Sequence, residues 1–566
     1  MAEQANPYTA DKDQIAFPRL SDQQLERVVP HGACRRCSDG QTLFEAGEQQ
    51  FPFYVVLEGA VRIEERQDDD QDGRDERVLT VAEHGPGQFT GDVDMITGRP
   101  TIVTARCVGD TKVIEVPAEA LRKLVAEEAS LGEVILRAFL MRRQMITEKG
   151  FTGVRLIGSR WSRQTHELKD FLARNQVVFT WLDPEQDADV ERLLQQFHVS
   201  PADMPVMLCP DGSLLRNPEH KQAADCLGLR PKVKQKVYDL VVVGAGPAGL
   251  AAGVYGASEG LDTLVLDAKA PGGQAGTSSR IENYLGFPTG VSGEDLARRA
   301  TIQAQKFGAT LISPQKAVGL ACDASGHRRV LLDDDKPAFC RALVIATGAE
   351  YRKIDAEGLE KFEGSGIYYG ATYTEASLCR DQQVVVVGGG NSAGQAAVYL
   401  AEYAKRVTVM IRGDDLSKSM SRYLLSRITQ TQNIDVATGE RITAFYGGER
   451  LERVTICPSS SGDDGGRELE VGAVFVMIGA NPRTDWLGDC IGLDGRGFIL
   501  TGELAKRHEN FQDVWDAKRD PFLLETTRPG VFAVGDVRSG SVKRVASAVG
   551  EGSMAVKYVH EAMARL

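Results

Sequence analysis

The sequence predicts a multidomain chain: a β-roll, a compact α/β unit, and two doubly wound α/β folds, one nested inside the other. Three observations predict it. Short β-runs broken by turn residues fill the stretch from Arg35 to Val116. Strands and helices then alternate from Gly153 to Leu229. Two apolar strands, Asp239–Val243 and Val384–Val387, each enter a glycine turn that opens an alanine-rich helix. The second of these lies between the run VIATGA and the late run GVFAVGDV, so its fold is read as inserted into the first. The expected units are 1–150, 151–230, an outer fold from 237–350 and 474–566, and an inserted fold over 351–473.

With 566 residues, the chain has room for three or four domains and their cores. Lys and Arg number 66 against 79 Asp and Glu, a net charge of −13, which argues against a nucleic-acid or anionic-membrane binder. No apolar run is long enough to span a bilayer, and MAEQANPYTADKDQ lacks a secretory pattern. Ten scattered cysteines form no disulfide framework, so a reducing cytoplasm is expected.

In the first unit the β-runs are TLFEAGE, PFYVVLEGAVRIEE, RVLTVAEHGPGQFTGD, TIVTARC and TKVIEVP. The acidic run Gln67–Arg77 reads as a hairpin tip, and Ala118–Thr147 as helical. Cys34-Arg-Arg-Cys37 is the one Cys-x-x-Cys of the chain. Residues three apart on a strand face opposite ways, and no further ligands of matched spacing follow, so two unpaired thiols and no metal site are expected. The second unit reads strand, helix, strand, helix, strand, turn, strand, helix, and Arg230–Lys236 is a charged linker. Its cysteines, Cys209 and Cys226, show no spacing that makes them a pair and read as buried thiols.

The first glycine turn is Gly244-x-Gly246-x-x-Gly249. Its first glycine permits a tight turn, the second lets backbone amides approach a pyrophosphate, and the third lets helix and strand pack closely. Asp267 ends the next strand, about 20 residues on, where an acid accepts the ribose hydroxyls of an adenosine half. The second turn is Gly388-x-Gly390-Asn391-Ser392-Ala393, with Ala in the third place. Just beyond its second strand stands Arg412, with Lys418 and Arg422 following. An arginine there accommodates a 2′-phosphate, which favours NADP over NAD, although Asp414 and Asp415 pull the other way.

Together, GAGPAGL (244–250), GGQ (272–274), ENYLGFP (282–288), ATGA (346–349), GGGNSA (388–393) and GVFAVGDV (530–537) resemble the low-molecular-weight thioredoxin reductase family over roughly Val237–Leu566. The resemblance implies nested Rossmann-like FAD and NAD(P) domains and a homodimer. It also implies that Gly272, Gly273, Gln274, Asn283 and Gly348 line the FAD site and that Gly535-Asp536 reaches the ribityl–pyrophosphate region. Arg544-Val545 would open a helix whose positive end stabilises reduced flavin. The family's Cys-x-x-Cys and following acid fall on Tyr369-Gly370-Ala371-Thr372-Tyr373-Thr374, so Gly370 and Tyr373 stand where the thiols would be. No thiolate can attack a disulfide there, and Cys379 reads as a structural thiol.

The second unit resembles the thioredoxin/glutaredoxin fold, with Ser159 and Ser162 in the two cysteine places and Met204-Pro205 like that family's cis-proline. The first unit resembles a cyclic-nucleotide-binding β-roll through Phe44–Glu48 and Phe53–Gly59. Its phosphate cassette, however, carries Gly91-Asp92 for Gly-Glu and Thr101 for the phosphate-pairing Arg, with Arg99 off register, so a cyclic nucleotide is not expected.

Three functions fit these readings. The first is an FAD-dependent NAD(P)H oxidoreductase without a dithiol centre, passing electrons from NADPH through FAD to an unidentified small-molecule or protein acceptor. The second is an NADPH-responsive regulatory flavoprotein. The third is a ferredoxin- or flavodoxin-NADP reductase-like enzyme, which the stop at Arg565-Leu566 directly after the last helix disfavours.

Overall fold

A computed structural model describes residues 12–67, 77–149, 154–160, 162–186, 190, 194, 199–209, 212–277, 281, 284–322, 328–334, 336–363, 366–371, 375–376, 379–448, 450–460 and 466–564. The tip of the acidic hairpin and most of the second helix expected in the redoxin-like unit fall outside them.

The first unit is a β-roll of β1 (Ala33–Cys37), β2 (Thr42–Phe44), β3 (Phe53–Gln67), β4 (Arg77–His84) and β5 (Thr104–Val116), in the order β1-β5-β3-β4 with β2 on β5. The runs TIVTARC and TKVIEVP merge into the single strand β5. The short helices α1 (Lys12–Ala16) and α2 (Asp22–Val28) precede the roll, α3 (Asp94–Thr97) interrupts it, and α4 (Ala118–Glu127) and α5 (Ala129–Lys149) close it. Phe53, Phe89 and Phe139 fill its centre, ring centres 5.4–6.3 Å apart. Cys34 is exposed and Cys37 buried, both free, as opposite faces of one strand require.

The second unit contains β6 (Arg155–Ile157), α6 (Arg163–Arg174), β7 (Thr180–Leu182), β8 (Val206–Leu208), β9 (Leu214–Arg216) and α7 (His220–Cys226). Its sheet order is β7-β6-β8-β9, parallel only between β6 and β7. Met204-Pro205 is cis. One expectation is corrected here: Cys209 and Cys226 form a disulfide, with Cα atoms 6.2 Å apart. The cause is tertiary. Helix α7 folds back so that Ala223 and Ala224 bury against Cys209 and Met207, which carries Cys226 over the end of β8. A separation of 17 residues along the chain carries no trace of that contact.

The outer fold is a sheet in the order β12-β11-β10-β15-β14-β13 with β26 beside β15. These are β10 (Val237–Val243), β11 (Thr263–Leu266), β12 (Thr310–Ile312), β13 (Ala317–Cys322), β14 (Arg328–Leu332), β15 (Ala338–Ile345) and β26 (Val531–Ala533). Helices α8 (Pro247–Ser258) and α9 (Gly293–Lys306) follow β10 and β11. The inserted sheet runs β17-β24-β18-β19-β20, all parallel. It comprises β17 (Ile367–Tyr368), β18 (Gln383–Val387), β19 (Arg406–Ile411), β20 (Ile434–Thr438) and β24 (Ala473–Val476), with helices α10 (Asn391–Leu400) and α11 (Arg422–Gln430). A three-stranded meander of β21 (Glu440–Gly447), β22 (Leu451–Pro458) and β23 (Arg467–Glu470) is attached. Because β24 belongs to this sheet, the return to the outer fold follows Val476 instead of falling at 474. A buried apolar run such as Ala473–Val476 suits either sheet, so its residue types do not say which one it joins. The two connections between the folds pair with each other, β16 (Ala349–Tyr351) antiparallel to β25 (Ala480–Pro482).

The last helix, α12 (Val545–Met563), lies across α8. A methyl on Gly552 would stand 2.1 Å from the Ala248 carbonyl oxygen, so only a glycine allows this crossing. Gly550, on the same helix, meets nothing within 4 Å. The pair makes a test in the full chain. Gly552→Ala is expected to lower the melting temperature, with a cost of about 1–3 kcal/mol for forced backbone movement. Gly550→Ala is expected to raise it slightly, by up to about 1 kcal/mol of helix propensity. Equal effects of the two substitutions in thermal unfolding would refute the crossing.

Candidate functional site

The outer glycine turn is built by backbone proximity. Gly244 has φ +106°, and a methyl on it would lie 2.3 Å from the Ala346 carbonyl oxygen. A methyl on Gly249 would lie 1.7 Å from the Gly244 carbonyl oxygen, so helix α8 can start against β10 only without side chains. Helix α8 begins at Gly246 with no side-chain cap and with proline in its first turn, leaving its free amides open.

Asp267 ties this turn together. One carboxylate oxygen accepts from the Ala245 amide at 2.7 Å. The other accepts from the Lys269 and Ala270 amides at 2.9 and 3.0 Å. A carboxylate offers about four acceptor positions, so capacity for a ribose hydroxyl is left. The loop that follows lies directly on the turn. Gly272 N–H donates to the Ala245 carbonyl at 2.7 Å, and a methyl on Gly273 would lie 2.9 Å from the Gly246 Cα. Gln274 donates from its side-chain amide to the Ala349 carbonyl, reaching the start of the connection to the inserted fold. Gly348, with φ +69° and an open Cβ direction, accepts from the Arg483 amide at 3.2 Å on the return connection. The expected role of Asn283 falls outside the described residues.

The C-terminal elements converge on the same turn. A methyl on Gly535 would be 3.0 Å from the Ala248 Cβ, and the Gly535 amide donates to Glu551 at 2.7 Å. Glu551 also pairs with Arg538, whose Nε lies 3.2 Å away. Half-buried Asp536 follows, and burial pushes its carboxyl up while Lys543 pulls it down and Glu551 raises it further. Arg544 is the N-cap of α12 and Val545 its first residue, with no side-chain cap on that end. An open cleft of about 600 Å³ continues from here, carrying Arg496, Arg538 and Lys543 on its walls.

On the inserted fold, Gly388 has φ +143°, and a methyl on it would meet the Met477 carbonyl oxygen at 2.3 Å. Gly390, the N-cap of α10, has nothing within 4 Å of its Cβ direction. Asn391 accepts from the Ser421 amide at 2.8 Å, and the Ser419 hydroxyl donates to the Gly389 carbonyl at 2.8 Å. Ser392 is exposed in the first turn of α10, and Ala393 is fully buried where a larger side chain would press on the strand. Arg412 and Arg422 are exposed beside this turn, and neither makes an ion pair among the described residues. The two opposing acids are already engaged. Asp414 pairs with Lys418 at 2.6 Å, and Asp415 accepts from the Ser417 amide and hydroxyl at 2.7 and 2.5 Å.

The dithiol position of the resemblance follows β17. A side chain on Gly370 would meet no described residue within 4 Å, and Tyr373 falls outside the described residues. Tyr369 stacks on Tyr351 with ring centres 6.2 Å apart. The described cysteine nearest in sequence, Cys379, is 1% exposed, and burial with Glu375 close by pushes its thiol up to about 12. Such a thiol stays protonated and unreactive at neutral pH.

In the β-roll, Asp92 and Asp94 both pair with Arg143, the first at 2.9 Å. Burial and the Asp94 charge push Asp92 up to about 6, against the opposite pull of Arg143. Thr101 is buried and donates to the Val103 carbonyl at 3.1 Å. A narrow cavity of about 60 Å³ runs beside Phe44, Phe51 and Ile63. Arg142 lines it, but its guanidinium already donates to the carbonyls of Ala16, Gly91 and Phe89 at 2.8, 2.6 and 3.0 Å. Sequence reasoning missed Arg142 and Arg143, because both lie on α5, far along the chain from the cassette they complete.

No helix among the described residues is long and apolar enough to cross a membrane, and no cluster of metal-ligating side chains occurs among them. Residues 238–552 match the pyridine nucleotide-disulphide oxidoreductase family, and residues 34–128 match the cyclic nucleotide-binding domain. The thioredoxin reductase of Listeria innocua is 31% identical over 333 residues, which span 58% of this chain and 96% of that protein. A 34.2 kDa protein in the rubredoxin operon of Clostridium pasteurianum is 32% identical, over 58% of this chain and 98% of its own length. The solved Lactococcus lactis thioredoxin reductase is 27% identical, covers 58% of this chain and 100% of its own, and superposes with a TM-score of 0.48. FAD and NADPH are the cofactors of the thioredoxin reductase family. The two uncapped glycine-turn helices fit such dinucleotides, since each offers free amides and backbone room for a pyrophosphate. With its long C-terminal match and its N-terminal roll, the chain belongs to the pyridine nucleotide-disulphide oxidoreductase family, as a thioredoxin reductase-like member that also carries a cyclic nucleotide-binding domain.

Proposed function

We propose that this chain is an FAD-dependent NAD(P)H oxidoreductase that works without a dithiol centre and delivers electrons to an acceptor outside the chain. The observation that carries this reading is a contrast. Both glycine-turn sites are fully formed, whereas Gly370 and Tyr373 occupy the thiol positions and Cys379 is a buried, protonated thiol. FAD, when bound, supplies the exchange of an electron pair between a nicotinamide and an acceptor.

The chain's own residues bind and orient. Gly244, Gly246 and Gly249 leave room for the FAD pyrophosphate, and Asp267 takes an adenosine ribose hydroxyl. Gly272, Gly273, Gln274, Asn283, Gly348, Gly535 and Asp536 border the flavin half, and Arg544-Val545 turns the open end of α12 toward it. Gly388, Gly390, Asn391, Ser392 and Ala393 hold the nicotinamide dinucleotide, and Arg412 with Arg422 reads the 2′-phosphate. Lys418 offsets the charge of Asp414, while Asp415, bonded to Ser417, keeps its own, and Arg412 with Arg422 carries the preference for NADP over NAD. The acceptor is a small molecule or a protein, and a homodimer is the expected assembly. In the β-roll, Thr101 stands at the phosphate-pairing position with its hydroxyl on the Val103 carbonyl, and Asp92 is paired with Arg143, so a cyclic nucleotide is not the expected ligand.

A regulatory flavoprotein is the second reading. Contact between the roll and the outer fold favours it: the Gln305 side chain on α9 reaches the Thr97 carbonyl on α3 at 3.5 Å.

Two outcomes are expected. In anaerobic titration of the purified chain, NADPH bleaches the flavin's visible absorbance rapidly and NADH does so poorly. Arg412→Ala raises the KM for NADPH about tenfold or more while leaving that for NADH unchanged, as the loss of a charge-assisted contact of about 1.5–3 kcal/mol requires. Bleaching by neither cofactor would refute the oxidoreductase reading, and an equal change with both cofactors would remove Arg412 from the phosphate site. The second outcome concerns the double substitution Gly370→Cys/Tyr373→Cys. Among the described residues, none lies within 4 Å of the Gly370 Cβ direction to clash with the new side chain. If thiol loss is the chief departure from thioredoxin reductases, this variant gains NADPH-dependent thioredoxin reduction in a dithiol-release assay. A folded, flavin-bearing variant with no gain would show that recognition has diverged too.

A further inference from the structure

The redoxin-like unit has serine at both thiol positions, Ser159 and Ser162, so its sheet carries no electrons by that route. Its contacts point to a different use. Helix α6 ends on Arg174, whose side chain is 13% exposed. One Nη of Arg174 donates to the carbonyls of Ala270, Pro271 and Gly273 at 3.0, 3.4 and 3.2 Å. The other stays on its own helix, 3.4 Å from Asp170. The adjoining Asn175 is buried, accepting from the Ser313 hydroxyl at 3.0 Å and donating to the Phe171 carbonyl at 2.8 Å. Two further ties hold the unit to the outer fold, Arg230 to Gln315 at 3.2 Å and Lys221 to Asp333 at 2.6 Å.

The three captured carbonyls belong to the loop that lies on the outer glycine turn. In a trans peptide the carbonyl and the following N–H point opposite ways. Holding the Pro271 and Gly273 carbonyls toward Arg174 therefore turns the Gly272 and Gln274 amides away from it. The Gly272 amide does meet the Ala245 carbonyl of the turn at 2.7 Å. Three converging carbonyl oxygens would also form a negative concavity beside a site meant for a pyrophosphate, and a guanidinium offsets it.

We propose that Arg174 is a positioning residue of the flavin site, and that the redoxin-like unit serves as a clamp on the loop 270–274. This rests on the FAD reading of the outer glycine turn. Arg174 acts through the loop and touches no reacting atom.

The test uses the full chain and compares Arg174→Met, Arg174→Lys and Arg230→Met. The first readout is FAD affinity from flavin fluorescence. The second is amide hydrogen exchange over 270–277 in the FAD-stripped protein. Arg174→Met is expected to weaken FAD at least tenfold, given bonds to a charged donor. It is also expected to speed exchange at Gly272, whose amide sits on the Ala245 carbonyl, without altering the β-roll. Arg174→Lys keeps the charge but loses the fork, so it falls between wild type and Met even if Met folds poorly. Arg230→Met, elsewhere on the same interface, changes neither readout. Wild-type affinity and wild-type exchange in Arg174→Lys and Arg174→Met would overturn the proposal, as would matching losses in Arg230→Met. A wild-type chain that takes up no FAD would instead overturn the flavin reading, and the exchange rates would still decide the clamp.

Discussion

The structure depends on one steric constraint: the approach of α8 to β10 at the outer glycine turn. A methyl at Gly249 would sit 1.7 Å from the Gly244 carbonyl oxygen, well inside any tolerable contact. That closeness sets the position of α8, against which α12 can cross only at Gly552. It also sets the place where the loop 270–274 comes to rest, and with it the face on which the redoxin-like unit docks. Larger side chains at these few positions would separate the helices and open the site from behind.

Gly370 lies on this scaffold with no described residue within 4 Å of its Cβ direction, and the aromatic pair Tyr351 and Tyr369 lies alongside. The redoxin-like unit shows a separation of fold from chemistry. It keeps its sheet order and its cis Met204-Pro205 bond while serine fills both thiol positions. A fold carries such losses easily, because the reactive groups sit on loops and helix ends while stability resides in sheets and buried faces.

Much of this was legible in the sequence because the decisive signals are local. A strand, a glycine turn and a helix lie within a short span, so Gly244, Gly246, Gly249, Gly388 and Gly390 could be read directly. The order of elements gave the redoxin-like sheet for the same reason. What escaped was set by contacts between distant segments. Cys209 meets Cys226 only after α7 folds back. The run at Ala473 could join either sheet until its neighbour Val384 fixed it. Arg142, Arg143 and Arg174 look like ordinary helix-surface charges in sequence, and only packing turns them onto carbonyls and carboxylates elsewhere in the chain.

The paired connection of β16 and β25 has a mechanical consequence. Two crossing segments that ran separately would leave the inserted fold free to tilt as well as turn. Hydrogen-bonded into a ribbon from Ala349–Pro482 to Tyr351–Ala480, they cannot splay independently. The inserted fold is therefore joined to the outer fold through one paired ribbon. Gln274 holds the Ala349 end of that ribbon, so the connection between the folds is tied to the loop 270–274.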